Sequence, residues 1–152
     1  METQIVTDKN LLALLPQNQL ILKQVNDWKF GDICQKFSEE CPQFDLDQTF
    51  AEYKYYMYLC KAEFAAGTSK LPIPNERCDE FWHRHILFLE DYIAFCNYLG
   101  SGELIMHYPH TRNHPRLEYD AKRELLKPLQ LQHFGMEVFD MGQELATSYS
   151  GC

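Results

Sequence analysis

Apolar residues recur along this chain at helical spacing almost from end to end. A short apolar run at residues 11–15 stops at Pro16. Pro16 and Asn18 can open a first helix over residues 19–30, with Leu20, Ile21, Val25 and Trp28 on its apolar side. Gly31 interrupts, and Ile33, Cys34 and Phe37 predict a short helix that ends before Pro42. Asp45 and Asp47 are both N-cap candidates for the next helix. Its apolar positions, Phe50, Tyr53, Met57, Cys60 and Phe64, predict one core-facing stripe, and Gly67 stands where a terminating glycine belongs. Leu71-Pro72-Ile73-Pro74-Asn75 reads as a stiff connector, since each proline fixes its own φ and holds its predecessor out of the helical region.

A third long helix is predicted over residues 75–99, closed by Gly100 and Gly102. Its stripe is Cys78, Trp82, Ile86, Leu89, Ile93 and Cys96. Residues 103–115 read as a loop. A helix over 116–127 follows, with Pro115 able to begin it and Pro128 expected to break it. A last helix is expected over 131–145, with Phe134, Val138, Met141 and Leu145 inward. No repeat and no sheet-like alternation interrupts this pattern. The expectation is an all-α fold: one domain over residues 1–152, a compact bundle of five to six helices with a His-rich loop.

Composition narrows the functional classes. The formal net charge is −8, and no basic run or stripe is present, which argues against nucleic acid as a partner. No apolar run reaches transmembrane length, and the first residues lack the charged and apolar regions of a signal peptide, so the chain is expected to be cytoplasmic, with no membrane partner. The six cysteines form no C-x-x-C pair and read as buried thiols. Glycine-rich phosphate loops and nucleophile elbows are absent from the sequence.

One stretch departs from this background. Five of the six histidines fall between Asp79 and His114. Asp79 and His83 are four apart, so on a helix both can reach one ion. His107, His110 and His114 follow on a proline-bounded loop that can fold back over them. A carboxylate with two or three imidazoles suits Zn²⁺, and two histidines with one carboxylate also suit non-haem Fe(II). Asp79, His83 and His107 are the favoured ligands, with His110 next. Glu90 shares the Asp79–His83 stripe as a further ligand or a partner to a ligand, and His114 and His85 are secondary candidates. A two-residue step turns His85 about 200° from His83 on a regular helix. Cys78 is a weaker option for a soft ligand. Glu80 and Asp91 read as part of a solvated face. The opposing reading is structural: His83 and His85 are hydrogen-bonded in the fold, Asp79 holds His83, and Trp82 is core.

The run from Glu52 to Leu59, then Pro74, Asp79-x-x-Trp82-His83-x-His85-Ile86-Leu87, Tyr92, Phe95-Cys96, Gly100 and His107-x-Pro109 resembles the glycine-rich domain-containing protein-like family. The resemblance covers about residues 50–110. In that family a D-x-x-W-H-x-H signature lies in a small helical domain. It marks Asp79, Trp82, His83, His85 and His107 as motif positions, with Tyr92 and Cys96 among those that follow. Plant members with a glycine-rich tail are associated with development and stress responses. This sequence has no such tail, and the family implies no particular reaction.

Two functions are therefore expected. One is a small metal-binding domain carrying Zn or Fe, acting, if an enzyme, as a metal-dependent hydrolase or oxidase on a small molecule. The alternative is a non-enzymatic protein-interaction module, in which the W-H-x-H cluster is structural and an aromatic surface binds a protein partner.

Overall fold

A computed structural model describes residues 5, 16–67, 71–100, 103–105 and 123–141. Among these the chain forms six helices and no strand, an all-α packing: α1 (Pro16–Asp27), α2 (Gly31–Glu40), α3 (Leu46–Ala65), α4 (Glu76–Leu87), α5 (Leu89–Tyr98) and α6 (Leu126–Phe134). None is long and apolar enough to cross a membrane.

α3 is the central element. It packs against α1, α2 and α4, and α4 in turn packs against α2 and α5. From Glu52 to Leu59 every residue of α3 is buried. That run covers two full turns, so the helix is enclosed on all sides rather than along the single stripe its spacing predicts. The two charges inside this run are both accommodated. Glu52 accepts from Arg77 Nη2 at 2.6 Å and from Asn75 Nδ2. The Lys54 ammonium lies over the Phe50 ring, 4.5 Å from its centroid. The outer end of the expected stripe is not core: Phe64 is exposed.

The helix starts follow their local chemistry. Asp45 caps α3, its carboxylate accepting from Gln48 N at 2.7 Å, so it and not Asp47 is the N-cap. Gly67, with φ +101°, turns the chain out of α3. Asn75 caps α4 through Cys78 N at 2.9 Å, and its amide also donates to Asp140 O at 3.0 Å. The connector before it is buried from Pro72 to Asn75. Arg123 donates to Pro74 O at 2.7 Å and tethers the connector to the later part of the chain.

Three expectations need correction. The helix expected over 75–99 is two helices. Phe88, at φ −85° and ψ 66°, closes α4 and opens α5. No proline or glycine marks the break. It shifts the phase of the apolar positions, so Tyr92, Phe95 and Cys96 are buried while Leu89 and Ile93, expected in the core, face solvent. Second, Pro128 does not break a helix. It occupies the first turn of α6, where the backbone N–H has no partner within the helix and its loss costs little. Third, α6 stops at Phe134, with Gly135 left-handed at φ 72°, so no single helix spans 131–145. The Gln130 side chain instead accepts from Val138 N at 2.8 Å and Phe139 N at 3.0 Å, which fixes a non-helical return of the chain.

At the start, α1 runs three residues ahead of the expected span. It buries Ile21 and Val25 but exposes Leu20. Residues 116–122 of the helix expected over 116–127, the loop histidines and the chain after residue 141 lie outside the described residues.

Candidate functional site

α4 carries the D-x-x-W-H-x-H residues, and the helix sends them in two directions. Asp79, Glu80 and His83 share one side. Each offers a ligand atom, and the three atoms lie within 4.8 Å of one another. Asp79 Oδ2 is 3.7 Å from His83 Nε2, and Glu80 Oε1 is 4.0 Å from His83 Nδ1. Both separations exceed a hydrogen bond and are near the ~3.4 Å between two donors on one tetrahedral zinc. The Asp79 side chain is 0% exposed and that of His83 33%, so the group has a buried floor and an open edge.

Glu80 was expected on a solvated face, yet its side chain is almost wholly buried. Arg84 is the reason. Its Nη1 donates to Glu80 Oε2, and its Nε donates to Glu40 Oε1 of α2 at 3.1 Å. The i,i+4 spacing of Glu80 and Arg84 was the signal in the sequence. Arg84 is thus shared between Glu80 and Glu40, so carboxylates outnumber basic groups beside His83, a setting that favours a bound cation.

His85 points the other way and is fully buried. Its Nε2 lies 2.8 Å from Asp91 Oδ2, and its Nδ1 lies 2.7 Å from the Tyr53 hydroxyl. Burial lowers its pKa from 6.5 to about 4, outweighing the carboxylate of Asp91, so the ring is neutral. Burial also raises the Tyr53 pKa well above its usual value. Tyr53 therefore keeps its proton and donates it to Nδ1, and Nε2–H donates to Asp91. Asp91 Oδ2 also accepts at 3.2 Å from Nε1 of Trp28, the residue that follows α1, which ties the end of that helix to the same point. Trp82 is likewise committed: its Nε1 donates to the Tyr92 hydroxyl at 2.9 Å, and that hydroxyl donates to Ile105 O.

Of the remaining expected residues that are described, Glu90, Cys78 and Cys96 fall outside the Asp79 group. Glu90 is exposed on α5, separated from α4 by the break at Phe88. Cys78 is buried, and desolvation pushes its thiol pKa well up, which keeps it protonated. Cys96 packs in the core. His107, His110 and His114 lie outside the described residues. His133, which stands apart from the cluster in sequence, is as firmly placed as His85: Nε2 is 2.8 Å from Glu63 Oε2 and Nδ1 is 3.1 Å from the Tyr58 hydroxyl. Its partners sit on α3, some seventy residues earlier in the chain, and no local pattern announced them.

Fold and site together define a class: an all-α bundle with a half-open carboxylate–imidazole group on one helix. Comparison with family models, with curated proteins and with solved structures found no match.

Proposed function

We propose that the chain is a small metal-binding helical domain that holds Zn²⁺ or Fe²⁺ at Asp79 and His83. The observation that carries this reading is the 3.7 Å approach of a fully buried carboxylate to a partly exposed imidazole nitrogen. An imidazole gives one nitrogen to one ion. With Nε2 turned to the ion beside Asp79, Nδ1–H is left for Glu80 Oε1, the kind of carboxylate support that fixes a ligand histidine's tautomer. His107 and His110 are the further ligands the sequence offers. A bound ion with an open position would act as a Lewis acid toward water or O₂, the basis of a hydrolase or oxidase.

The test is elemental analysis of untagged protein. Wild type should carry close to one equivalent of zinc or iron. His83→Ala should lose most of it, and His133→Ala should keep it. Equal retention in the two variants would place the ion elsewhere.

A second reading, a non-enzymatic interaction module, is favoured by the other half of the motif. Trp82 and His85 are taken up by Tyr92, Tyr53 and Asp91 and hold α3, α4 and α5 together. Among the described residues most rings lie in the core, and the exposed large apolar side chains are chiefly aliphatic, with Phe64 and Tyr98 the aromatic ones.

A further inference from the structure

We propose that Arg84 and Glu40, neither of them a ligand, set the affinity of the Asp79–His83 site by holding Glu80 in place, a proposal that rests on the metal-binding reading above. A histidine that binds an ion through one nitrogen is fixed by what its other nitrogen meets. For His83 that neighbour is Glu80, whose Oε1 is 4.0 Å from Nδ1, while Asp79 Oδ2 is 3.7 Å from Nε2. Closing the first gap to a hydrogen bond takes a shift of about 1 Å. Where Glu80 can go is decided by Arg84, one turn on. Arg84 Nη1 donates to Glu80 Oε2 and, at 3.2 Å, to Glu80 O. One carboxylate oxygen is thereby taken, and the other is kept on the His83 side. Arg84 Nε donates at 3.1 Å to Oε1 of Glu40, the last residue of α2, and Glu40 Oε2 lies 3.3 Å from Lys36 Nζ. The relay Lys36–Glu40–Arg84–Glu80 thus runs from the exposed end of α2 to the buried floor of the site.

Arg84 can act on a bound cation in two ways, and they have opposite signs. Its positive charge repels the ion, so its removal would tighten binding. Its hold on Glu80 supports His83, so its removal would loosen binding. The guanidinium uses separate nitrogens for Glu80 and Glu40, a two-sided grip that the single nitrogen of a lysine cannot reproduce. Glu40 separates charge from position as well. Glutamine there loses the charge but keeps an oxygen for Arg84 Nε, whereas alanine loses both.

The probe is Zn²⁺ alone, titrated into the full untagged chain against a chelating dye at about pH 7.5. Glu80→Gln should weaken binding about 10–100-fold, because an amide has one oxygen where Arg84 and His83 require two. Arg84→Met should weaken it about tenfold, and Arg84→Lys at least about threefold although the charge is kept. Glu40→Gln should stay within about twofold of wild type, and Glu40→Ala should fall about threefold below it. Circular dichroism checks folding, and the partly exposed Glu40 carries the test if the Arg84 variants do not fold. Nitrogen-15 NMR of zinc-loaded wild type should show His83 protonated at Nδ1, with zinc on Nε2. Tighter binding by Arg84→Met would reduce Arg84 to an opposing charge and overturn the proposal, as would equal binding by Glu40→Gln and Glu40→Ala. Zinc on Nδ1 would make Glu80 a ligand rather than a support and overturn it too. Those three results leave the metal site standing. Zinc binding that is absent in wild type, or unchanged in His83→Ala, would remove the site itself and the relay with it.

Discussion

His85 shows how one buried side chain sets a measurable property. Its ring is neutral because burial outweighs Asp91, and its folded pKa is about 4 against an ordinary 6.5. The unfolded chain therefore binds the extra proton first as pH falls. The stabilisation is complete above about pH 6.5 and is lost as pH falls toward 4, where the folded protein protonates as well. A shift of that size corresponds to about 3 kcal/mol. Urea denaturation of chelator-treated wild type and His85→Gln between pH 7.5 and about 4.5 should show this as a difference curve. The variant should be less stable at neutral pH by about 2 kcal/mol, because Tyr53 and Asp91 cannot both keep a partner, and its acid loss should be smaller. Parallel curves would show that His85 is not the group that titrates. The sequence told that His85 faces away from His83, since a two-residue step on a helix does that. It did not tell what His85 meets. Asp91 is six residues on, which is 240° around an unbroken helix, and only the turn at Phe88 folds it back.

At the scale of elements, the legible features were those that local chemistry decides. Asp45, one of the two cap candidates, and Asn75, expected as the first residue of its helix, precede helices because their side chains satisfy backbone donors that a helix start leaves open. The break at Phe88 was not legible, because it serves contacts across the fold. His85–Asp91 and Trp82–Tyr92 form only if α5 turns back on α4. Pro128 misled for the opposite reason: a helix tolerates proline in its first turn, and a start at Leu126 could not be read from periodicity. The two caps give a graded prediction. Asp45 makes a single exposed capping bond, so Asp45→Ala should cost about 1 kcal/mol. Asn75 caps α4 while also donating to Glu52 and Asp140 O in the interior. Asn75→Ala leaves buried Glu52 and Asp140 O short of a donor and should cost about 2–4 kcal/mol. Thermal or urea unfolding of the two variants decides this. Equal costs would mean that the Asn75 network adds nothing beyond the cap.

The whole molecule offers the decisive reading of the metal site, through linkage. An ion bound to the folded chain stabilises it in proportion to the logarithm of ligand over Kd, about 2.7 kcal/mol at a hundredfold excess. For a chain of 152 residues that is a rise in Tm of roughly 5–10 °C. His83 must be neutral to bind, so protons compete with the ion and the rise should shrink as pH falls through the imidazole range. Raw melting curves would mislead, since His85 lowers stability over the same window with no ion present. The quantity to measure is the difference in Tm with and without chelator at each pH, from about 8 to 5, in which the contribution of His85 cancels. It should be largest on the alkaline side and approach zero near pH 5. In His83→Ala it should be small throughout, while His133→Ala should follow wild type, its ring being tied to Glu63 and Tyr58 well away from Asp79 in the chain. A chelator effect of zero at every pH in wild type would remove the metal and leave the 3.7 Å approach of Asp79 to His83 as an ion pair between two turns of α4.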